Sequence, residues 1–241
     1  MTERIAIVTG ANRGLGLQTS RELAERGYRV VLTARTRDNA EAAVASLATV
    51  GPGSVEPAEL DVASDPSVAA FAEQILAGLP RVDVLVNTAG AIFESTHDRE
   101  SQGAASVWVV SADTVLAAVS TNTLGAYRLL VRVLPRMNEA GYGRVVNVTS
   151  GMGALTDMHG GWPAYRISKT ALHAVTRVFH AEARPGVKVN AVCPGWVRTD
   201  MGGPGATRSL AEGAAGIIRA ATLPDDGPSG VLMRDGTVCA W

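Results

Sequence analysis

Cysteine is scarce in this chain, and neither sign of charge is in excess. Only Cys193 and Cys239 occur in 241 residues, and their separation fits neither a metal site nor a disulfide framework. His97, His173 and His180 also lack metal-ligand spacing and are expected on the surface or between helices. Lys and Arg number 22 against 23 Asp and Glu, for a formal net charge of -1, and no run of like charges is present. We therefore expect a reducing compartment, no metal and no nucleic-acid partner.

Long apolar runs are also missing. No stretch approaches the roughly 18 residues of a membrane span, and the first predicted strand begins at Arg4, which leaves no room for a signal peptide. These absences predict a cytoplasmic protein without a membrane partner. The 46% hydrophobic and 19% charged content is typical of globular proteins, and the length suits a single domain that spans residues 1–241.

Strand and helix patterns alternate along the whole chain, as a doubly wound parallel sheet requires. Short apolar runs predict seven strands: Arg4–Val8, Tyr28–Thr33, Val55–Leu60, Val82–Val86, Gly143–Val148, Val187–Val192 and Gly230–Met233. Longer amphipathic stretches predict six helices: Leu15–Arg26, Asn39–Ala48, Ser67–Gly78, Ser111–Met137, Pro163–Ala183 and Ser209–Ala221. The predicted fold class is α/β, a Rossmann-like parallel sheet with helices on both faces.

A glycine turn follows the first predicted strand. Gly10, Gly14 and Gly16 have the spacing G-x-x-x-G-x-G, which differs from the G-x-G-x-x-G of the general dinucleotide fingerprint. The turn nevertheless lies between a strand and a helix, and a second strand follows. Backbone N–H groups and the helix N-terminus can hold a pyrophosphate at this place. The pattern therefore predicts a nucleotide cofactor.

Tyr165 and Lys169 are four residues apart on a predicted helix and share one face of it. A tyrosine titrates near ~10, and a close positive charge favours the phenolate. The pair is therefore a candidate general acid whose pKa the lysine lowers toward the operating pH. Taken alone, such a pair is far more often just two residues of an ordinary amphipathic helix.

Together these motifs resemble the short-chain dehydrogenase/reductase family, and most closely its carbonyl-reductase-like members that prefer NADPH. The resemblance spans essentially the whole chain. Its segments follow in order: Thr9–Gly16, Asp61-Val62, Asn87-Thr88-Ala89-Gly90, Asn122, Ser150 with Tyr165 and Lys169, and Pro194–Asp200. It implies an oxidoreductase that transfers hydride to a ketone or aldehyde, and a homodimer or homotetramer that packs through Ser111–Met137 and Pro163–Ala183.

The resemblance implies a catalytic tetrad. Ser150 would orient the carbonyl oxygen, Tyr165 would donate a proton, and Lys169 would lower the Tyr165 pKa and bind the nicotinamide ribose. Asn122 would bend its helix and hold a water that connects Lys169 to solvent. The distance of 15 residues between Ser150 and Tyr165 is slightly longer than usual in the family, which implies an extended wall over residues 151–161.

The resemblance also implies the cofactor-binding positions. They are Gly10, Asn12, Arg13, Gly14, Leu15, Gly16, Arg35, Asp61, Val62, Asn87, Ala89, Gly90, Tyr165, Lys169, Pro194, Gly195, Val197 and Thr199. Thr88 replaces the family's usual second Asn, which puts its side-chain contact in doubt. Arg35 occupies the region where NAD enzymes carry a carboxylate, and no acid follows before Asp38, so we predict NADPH. The other interpretation is that Arg35 and Arg37 are solvated loop charges.

The sequence predicts the substrate-binding residues less clearly than the cofactor-binding residues. The stretch Asp200–Gly205 is predicted to be a mobile lid, although an ordinary surface loop would have the same composition. Candidate apolar walls are Met152, Met158, His159, Trp162, Trp196 and Met201. Other functions on the same scaffold remain open: an NAD(P)-linked secondary alcohol dehydrogenase, a dehalogenase that has lost its nucleotide, and a non-catalytic sensor of NADP(H).

Overall fold

A computed structural model of the chain describes residues 3–47, 51–94 and 106–241. Within these ranges, eight strands form one sheet: β1 Arg4–Val8, β2 Tyr28–Ala34, β3 Ser54–Glu59, β4 Val84–Asn87, β5 Gly143–Val148, β6 Val187–Val192, β7 Leu232–Arg234 and β8 Thr237–Cys239. The described residues also form seven α-helices: α1 Gly14–Glu25, α2 Arg37–Ser46, α3 Asp65–Gln74, α4 Ala112–Val119, α5 Gly125–Ala140, α6 Pro163–Glu182 and α7 Leu210–Ala221.

The sheet has the order β3-β2-β1-β4-β5-β6-β7-β8, and every pair except β7 with β8 is parallel. This order confirms the predicted doubly wound α/β class. After β1, the strands β2 and β3 are added toward one edge of the sheet, and the strands from β4 onward are added toward the other edge. The carboxyl ends of β1 and β4 therefore diverge, and a crevice opens there.

Alternate residues of the central strands point to opposite faces of the sheet. Ala6 and Val8 pack with residues of α1, α2 and α7, whereas Ile5 and Ile7 pack with residues of α3, α5 and α6. Each fully buried aliphatic side chain of these two cores contributes roughly 1.5–3 kcal/mol of transfer free energy. The two cores therefore hold the strand ends in fixed positions.

The prediction of seven strands was one strand short. β8 pairs with β7 in antiparallel register, and Asp235 and Gly236 connect the two strands with positive φ angles of 54° and 77°. An Asp-Gly pair between two short strands is a strong hairpin signal. The Asp-Gly pair therefore indicated a hairpin in the sequence. The strand β8 was missed because it has only three residues and no alternating pattern of apolar and polar residues.

The predicted helix Ser111–Met137 is divided in the structure. A π-helical turn over Ser120–Leu124 separates α4 from α5.

The C-terminal end of the predicted helix Asn39–Ala48 and the position of His97 lie outside the described residues. Within the described ranges, no helix is both long and apolar enough to cross a membrane, and no three potential ligands among His, Cys, Asp and Glu cluster as a metal site would need.

Candidate active site

A cleft of about 940 Å³ opens at the carboxyl ends of the central strands. Thirteen of the predicted site residues line it: Gly10, Arg13, Gly14, Leu15, Gly16, Gly90, Ser150, Tyr165, Lys169, Pro194, Gly195, Val197 and Thr199. The fold thus brings together segments that are separated by more than 180 residues. The glycine turn and the tyrosine-lysine pair belong to one cavity.

The glycine turn fits a dinucleotide because larger side chains would obstruct it. Gly10 and Gly14 have φ angles of 58° and 57°, in the left-handed region that favours glycine. A Cβ on Gly16 would lie 2.6 Å from the Gly10 carbonyl oxygen, so the first turn of α1 can approach the strand end only without a side chain. The backbone therefore faces the cleft directly.

The N-terminus of α1 has the electrostatics of an anion site. Its N-cap, Arg13, makes no side-chain capping hydrogen bond, and its first turn contains no acidic residue. The unpaired N–H groups and the positive end of the helix dipole consequently remain available. A pyrophosphate group would satisfy both features, so the residues present fit a dinucleotide.

The loop after β4 forms the opposite side of the nucleotide region. The Thr9 hydroxyl accepts hydrogen bonds from the backbone N–H groups of Thr88 and Ala89, both at 3.0 Å. The Asn87 amide donates to Asn147 Oδ1 at 2.8 Å. The Thr88 hydroxyl is buried without a hydrogen-bond partner among the described residues. Other atoms of Thr88 line the cleft, so the predicted loop after β4 reaches the nucleotide region.

Tyr165 lies in the first turn of α6 and is almost completely buried. Its phenol is hydrogen-bonded to Ser150, and Ser150 Oγ also accepts from the Met152 N–H at 3.2 Å. Burial raises the pKa of Tyr165 to about 12, although the Ser150 hydrogen bond opposes the change. Tyr165 therefore keeps its proton at neutral pH.

Lys169 lies one turn further along α6 with only 4% of its surface exposed. Its Nζ atom donates to the Val148 carbonyl at 2.9 Å and is 5.7 Å from the centre of the Tyr165 ring. Burial lowers the pKa of Lys169 to about 8. The predicted net lowering of the Tyr165 pKa toward the operating pH is therefore wrong for this structure, because the effect of burial outweighs that of any nearby charge.

Asn122 lies in the π-helical turn between α4 and α5. Its Oδ1 accepts from the Ala91 N–H at 2.8 Å, and its Nδ2 donates to the Ala91 carbonyl and to Ser168 Oγ, both at 2.9 Å. A Cβ on Gly90 would lie 3.1 Å from Asn122 Oδ1 and 3.3 Å from Lys169 Nζ. The predicted helix distortion at Asn122 is thus present, and Asn122 and Lys169 flank the same glycine.

Charged side chains lie at the glycine turn and just beyond the carboxyl end of β2. Arg13 pairs with Asp200 at 2.7 Å, with side-chain exposures of 70% and 74%. Arg35 is exposed, and none of the described carboxylates pairs with it, whereas Arg37 pairs with Glu41 at 2.6 Å. The predicted phosphate ligand Arg13 is therefore already engaged by an acid of the predicted lid.

Seven predicted site residues do not line the cleft: Asn12, Arg35, Asp61, Val62, Asn87, Ala89 and Asn122. Two of them have other local roles. The Asp61 carboxylate accepts from the Ala63 N–H at 2.9 Å, and Val62 is so close to Gly125 that a Cβ there would lie 2.7 Å from it. The predicted adenine contact of Asp61 remains a prediction.

Four of the six proposed substrate walls line the cleft, namely Met152, Trp162, Trp196 and Met201, whereas Met158 and His159 do not. The predicted lid is hydrogen-bonded to the residues that precede it. Trp196 Nε1 donates to the Gly202 carbonyl at 2.9 Å, and the Gly202 N–H donates to Thr199 Oγ1 at 3.0 Å. The segment is therefore a hydrogen-bonded turn next to the cleft, and its mobility remains a prediction.

The sequence analysis missed several residues of the site. The cleft is also lined by Ile92, Val148, Thr149, Cys193, Leu210 and Arg234. Most of them are neighbours of predicted residues at strand ends, so the periodicity of the strands could have indicated them. Glu94 could not have been found in this way, because its contact with Tyr165 spans 71 residues.

Comparisons with known proteins agree with this geometry. A family model described as "short chain dehydrogenase" matches residues 4–208. The chain is 31% identical to short-chain dehydrogenase/reductase 1 of Saponaria officinalis over 98% of this chain and 95% of that protein. It is 32% identical to carbonyl reductase (NADPH) 1 of Mus musculus, with 98% of each chain covered. The alcohol dehydrogenase of the archaeon Thermococcus sibiricus, complexed with 5-hydroxy-NADP, has a TM-score of 0.82 and 26% identity, with 100% of each chain covered.

Proposed function

Because the chain belongs to the short-chain dehydrogenase/reductase family and is an oxidoreductase of that family, we propose that it reduces a ketone or aldehyde to an alcohol with NADPH. One observation carries this proposal. A buried, protonated Tyr165 is hydrogen-bonded to Ser150 in the same cleft as the glycine turn and Lys169. This arrangement provides a proton donor beside a place where a carbonyl oxygen can bind.

The cofactor supplies the hydride when it is bound. Ser150 and Tyr165 provide two hydroxyl groups that can hydrogen-bond a carbonyl oxygen and hold it in place. The high pKa of Tyr165 keeps its proton in place until negative charge develops on that oxygen. Lys169, with a pKa of about 8, is mostly charged at pH 7. Its charge favours the phenolate that remains after proton transfer.

The preference for NADPH rests on two arginines, one just beyond the carboxyl end of β2 and one at the glycine turn. Arg35 is exposed and has no acidic partner within the described ranges, and a 2′-phosphate would satisfy it. Arg13 is a second cation at the glycine turn. The mouse relative is named as NADPH-dependent, and the archaeal structure holds an NADP derivative.

An NAD(P)-linked secondary alcohol dehydrogenase is the second candidate, because one structural neighbour is named an alcohol dehydrogenase. This candidate uses the same residues in the opposite direction, with Tyr165 accepting a proton. The raised pKa of Tyr165 favours the direction in which the phenol begins protonated.

We also propose that residues 1–241 act as one cytoplasmic domain that assembles into a homodimer or homotetramer. Large apolar side chains are exposed along α5 and α6, including Tyr127, Val131, Ile167 and Val178. A groove of about 340 Å³ lies between these helices, remote from Tyr165. Light scattering at micromolar concentration tests this point, and a monomer would contradict it.

Titration of the purified protein with NADPH and with NADH, followed by nicotinamide fluorescence, tests the cofactor and the reaction together. Ketones, aldehydes and quinones are then added with whichever cofactor binds. We expect NADPH to bind more tightly and at least one carbonyl to be reduced. Binding without turnover of any carbonyl would favour a sensor, and absence of binding would refute the assignment of the glycine turn.

A further inference from the structure

Glu94 is a carboxylate with no assigned role that lies inside the protein next to Tyr165. Its surface is 3% exposed. Its Oε1 atom accepts a hydrogen bond from the backbone N–H of Tyr165 at 2.9 Å. Its Oε2 atom is buried and has no hydrogen-bond partner among the described residues. A buried carboxylate with one free oxygen is unfavourable unless something in the protein requires it.

The N-terminus of α6 lacks a cap of its own. Its N-cap residue, Trp162, makes no side-chain capping hydrogen bond, and the first turn contains no acidic residue. By contrast, Thr36, Ser64, Ser111 and Ser209 cap α2, α3, α4 and α7 with their own side chains. Glu94 therefore supplies to α6, from a distant part of the chain, the acceptor and the negative charge that the local sequence omits.

The short segment from Gly90 to Glu94 is fastened to α6 at both ends. Near its start, Asn122 connects Ala91 to Ser168 through hydrogen bonds of 2.8–2.9 Å. At its end, Glu94 is bonded directly to Tyr165. Between the two attachments, Gly90 and Ile92 line the cleft. The position of the catalytic turn of α6 is therefore coupled to the cofactor wall that follows β4.

We propose that Glu94 is a positioning residue that joins the loop after β4 to the first turn of α6 and so fixes Tyr165 against the cofactor wall. This inference rests on the proposed function, in which Tyr165 is the proton donor. Glu94 acts through the backbone of Tyr165 and does not line the cleft. Its charge has a second consequence for the same tyrosine.

Glu94 belongs to a small set of groups that act on the Tyr165 phenol. Cys193 and Glu94 both raise the pKa of Tyr165, and the Ser150 hydrogen bond lowers it. Lys169 is the nearby cation, with its Nζ atom 5.7 Å from the ring centre. Since Glu94 is an anion, removal of its charge is expected to lower the Tyr165 pKa.

Two variants separate the contact from the charge. Glu94→Gln keeps a carbonyl acceptor for the Tyr165 N–H but removes the charge, whereas Glu94→Leu removes both. We expect Glu94→Leu to lower kcat by about 10²-fold while the Kd for NADPH changes little, because a misplaced proton donor impairs chemistry more than binding. We expect Glu94→Gln to keep most of kcat, because the Tyr165 N–H keeps an acceptor at this position.

A measurement without substrate or cofactor makes the test independent of turnover. Stopped-flow ultraviolet absorbance at high pH follows tyrosinate formation, and the difference from Tyr165→Phe isolates Tyr165. We expect its midpoint to be lower in Glu94→Gln than in the unmodified protein. Glu59→Gln is the matched control, because Glu59 also accepts from a first-turn N–H of a helix to which it does not belong, that of Arg37 at 3.2 Å.

The outcomes distinguish this inference from the proposed function. A lower Tyr165 midpoint in Glu94→Gln, with no change in Glu59→Gln, supports the role of Glu94 even if no carbonyl is turned over. An unchanged midpoint in Glu94→Gln together with an unchanged kcat in Glu94→Leu overturns it. If Glu94→Leu does not fold, the midpoint of Tyr165 ionisation in Glu94→Gln alone decides whether the inference holds.

Discussion

The two ends of the cleft are built in different ways. At the catalytic end, Ser150, Tyr165 and Lys169 are joined to one another or to backbone groups, and the last two are buried. At the outer end, Arg13 and Asp200 form an ion pair that is mostly exposed to solvent. The chemistry is therefore held by buried contacts, whereas the choice of cofactor depends on charges that water and salt can reach.

This difference sets the scale of the expected effects. A buried polar group that loses its partner bears a desolvation penalty of about 1–3 kcal/mol, and more if it is charged. An exposed ion pair is typically worth about 0–1 kcal/mol and is screened by salt. Substitutions at the catalytic end should therefore have effects that do not depend on salt, whereas the effects of substitutions among the exposed charges should shrink as salt is added.

The largest effect is expected at Tyr165. Tyr165→Phe keeps the buried ring but removes the proton donor, so kcat for carbonyl reduction should fall by about 10²–10⁴-fold. NADPH binding, measured by fluorescence, should change little. Tyr127→Phe is the matched control, because Tyr127 is 44% exposed on α5 and is absent from the cleft lining. Full activity of Tyr165→Phe would remove Tyr165 from the mechanism.

A second test uses the burial of His173, one turn beyond Lys169 on α6. Burial, assisted by the positive charge of Lys169, lowers the pKa of His173 from 6.5 to about 4. Between these values the unfolded chain binds a proton that the folded protein does not. The contribution of His173 to the free energy of unfolding is therefore fully present above pH 6.5. It falls by about 3 kcal/mol as the pH is lowered toward 4.

Urea unfolding at pH 6.5 and pH 4 measures this loss in the unmodified protein and in His173→Gln. We expect the variant to lose about 3 kcal/mol less over this range, because its side chain does not titrate. His159→Gln is the control, since His159 is exposed. Equal losses in the unmodified protein and in His173→Gln would show that His173 is not a buried neutral residue.

The glycine turn and the tyrosine-lysine pair were the parts that the sequence predicted best by residue identity. Gly10, Gly14 and Gly16 form a local motif between a strand and a helix, and Tyr165 and Lys169 are one helical turn apart. Such short-range patterns determine local geometry before any tertiary contact is known. Their meeting in one cleft followed from the strand order of a doubly wound sheet.

The properties that depend on distant contacts could not be predicted. The upward shift of the Tyr165 pKa results mainly from burial, which depends on how the whole chain folds around this side chain. The Arg13–Asp200 pair and the Glu94–Tyr165 hydrogen bond join residues 187 and 71 positions apart. No pattern in a single sequence identifies such pairs, because each residue alone is typical of an ordinary surface or loop position.

Among the exposed charges, the largest expected effect is that of Arg35. Arg35→Asp should weaken NADPH binding by at least about 1–3 kcal/mol, or roughly 5- to 150-fold in Kd, because a charge-assisted bond to the 2′-phosphate is lost. Binding of NADH should not weaken. Arg37→Asp makes the same charge change two residues away, at a side chain already paired with Glu41, and should have a smaller effect. Equal NADPH affinity in Arg35→Asp would refute the cofactor assignment.

The smallest predicted effect has the opposite sign. Asp200 competes with a 2′-phosphate for Arg13, so Asp200→Asn should release the guanidinium group and tighten NADPH binding by about two- to fivefold at low salt. NADH has no 2′-phosphate, and its Kd should stay the same. The gain should shrink as salt is added, because both partners are exposed. Asp226→Asn removes an exposed carboxylate that is absent from the cleft lining and serves as the control. Asp200→Asn could instead weaken the binding of both cofactors equally. That result would mean that Asp200 orders the predicted lid, and that the contrast between buried catalytic contacts and exposed, salt-sensitive charges does not extend to this loop.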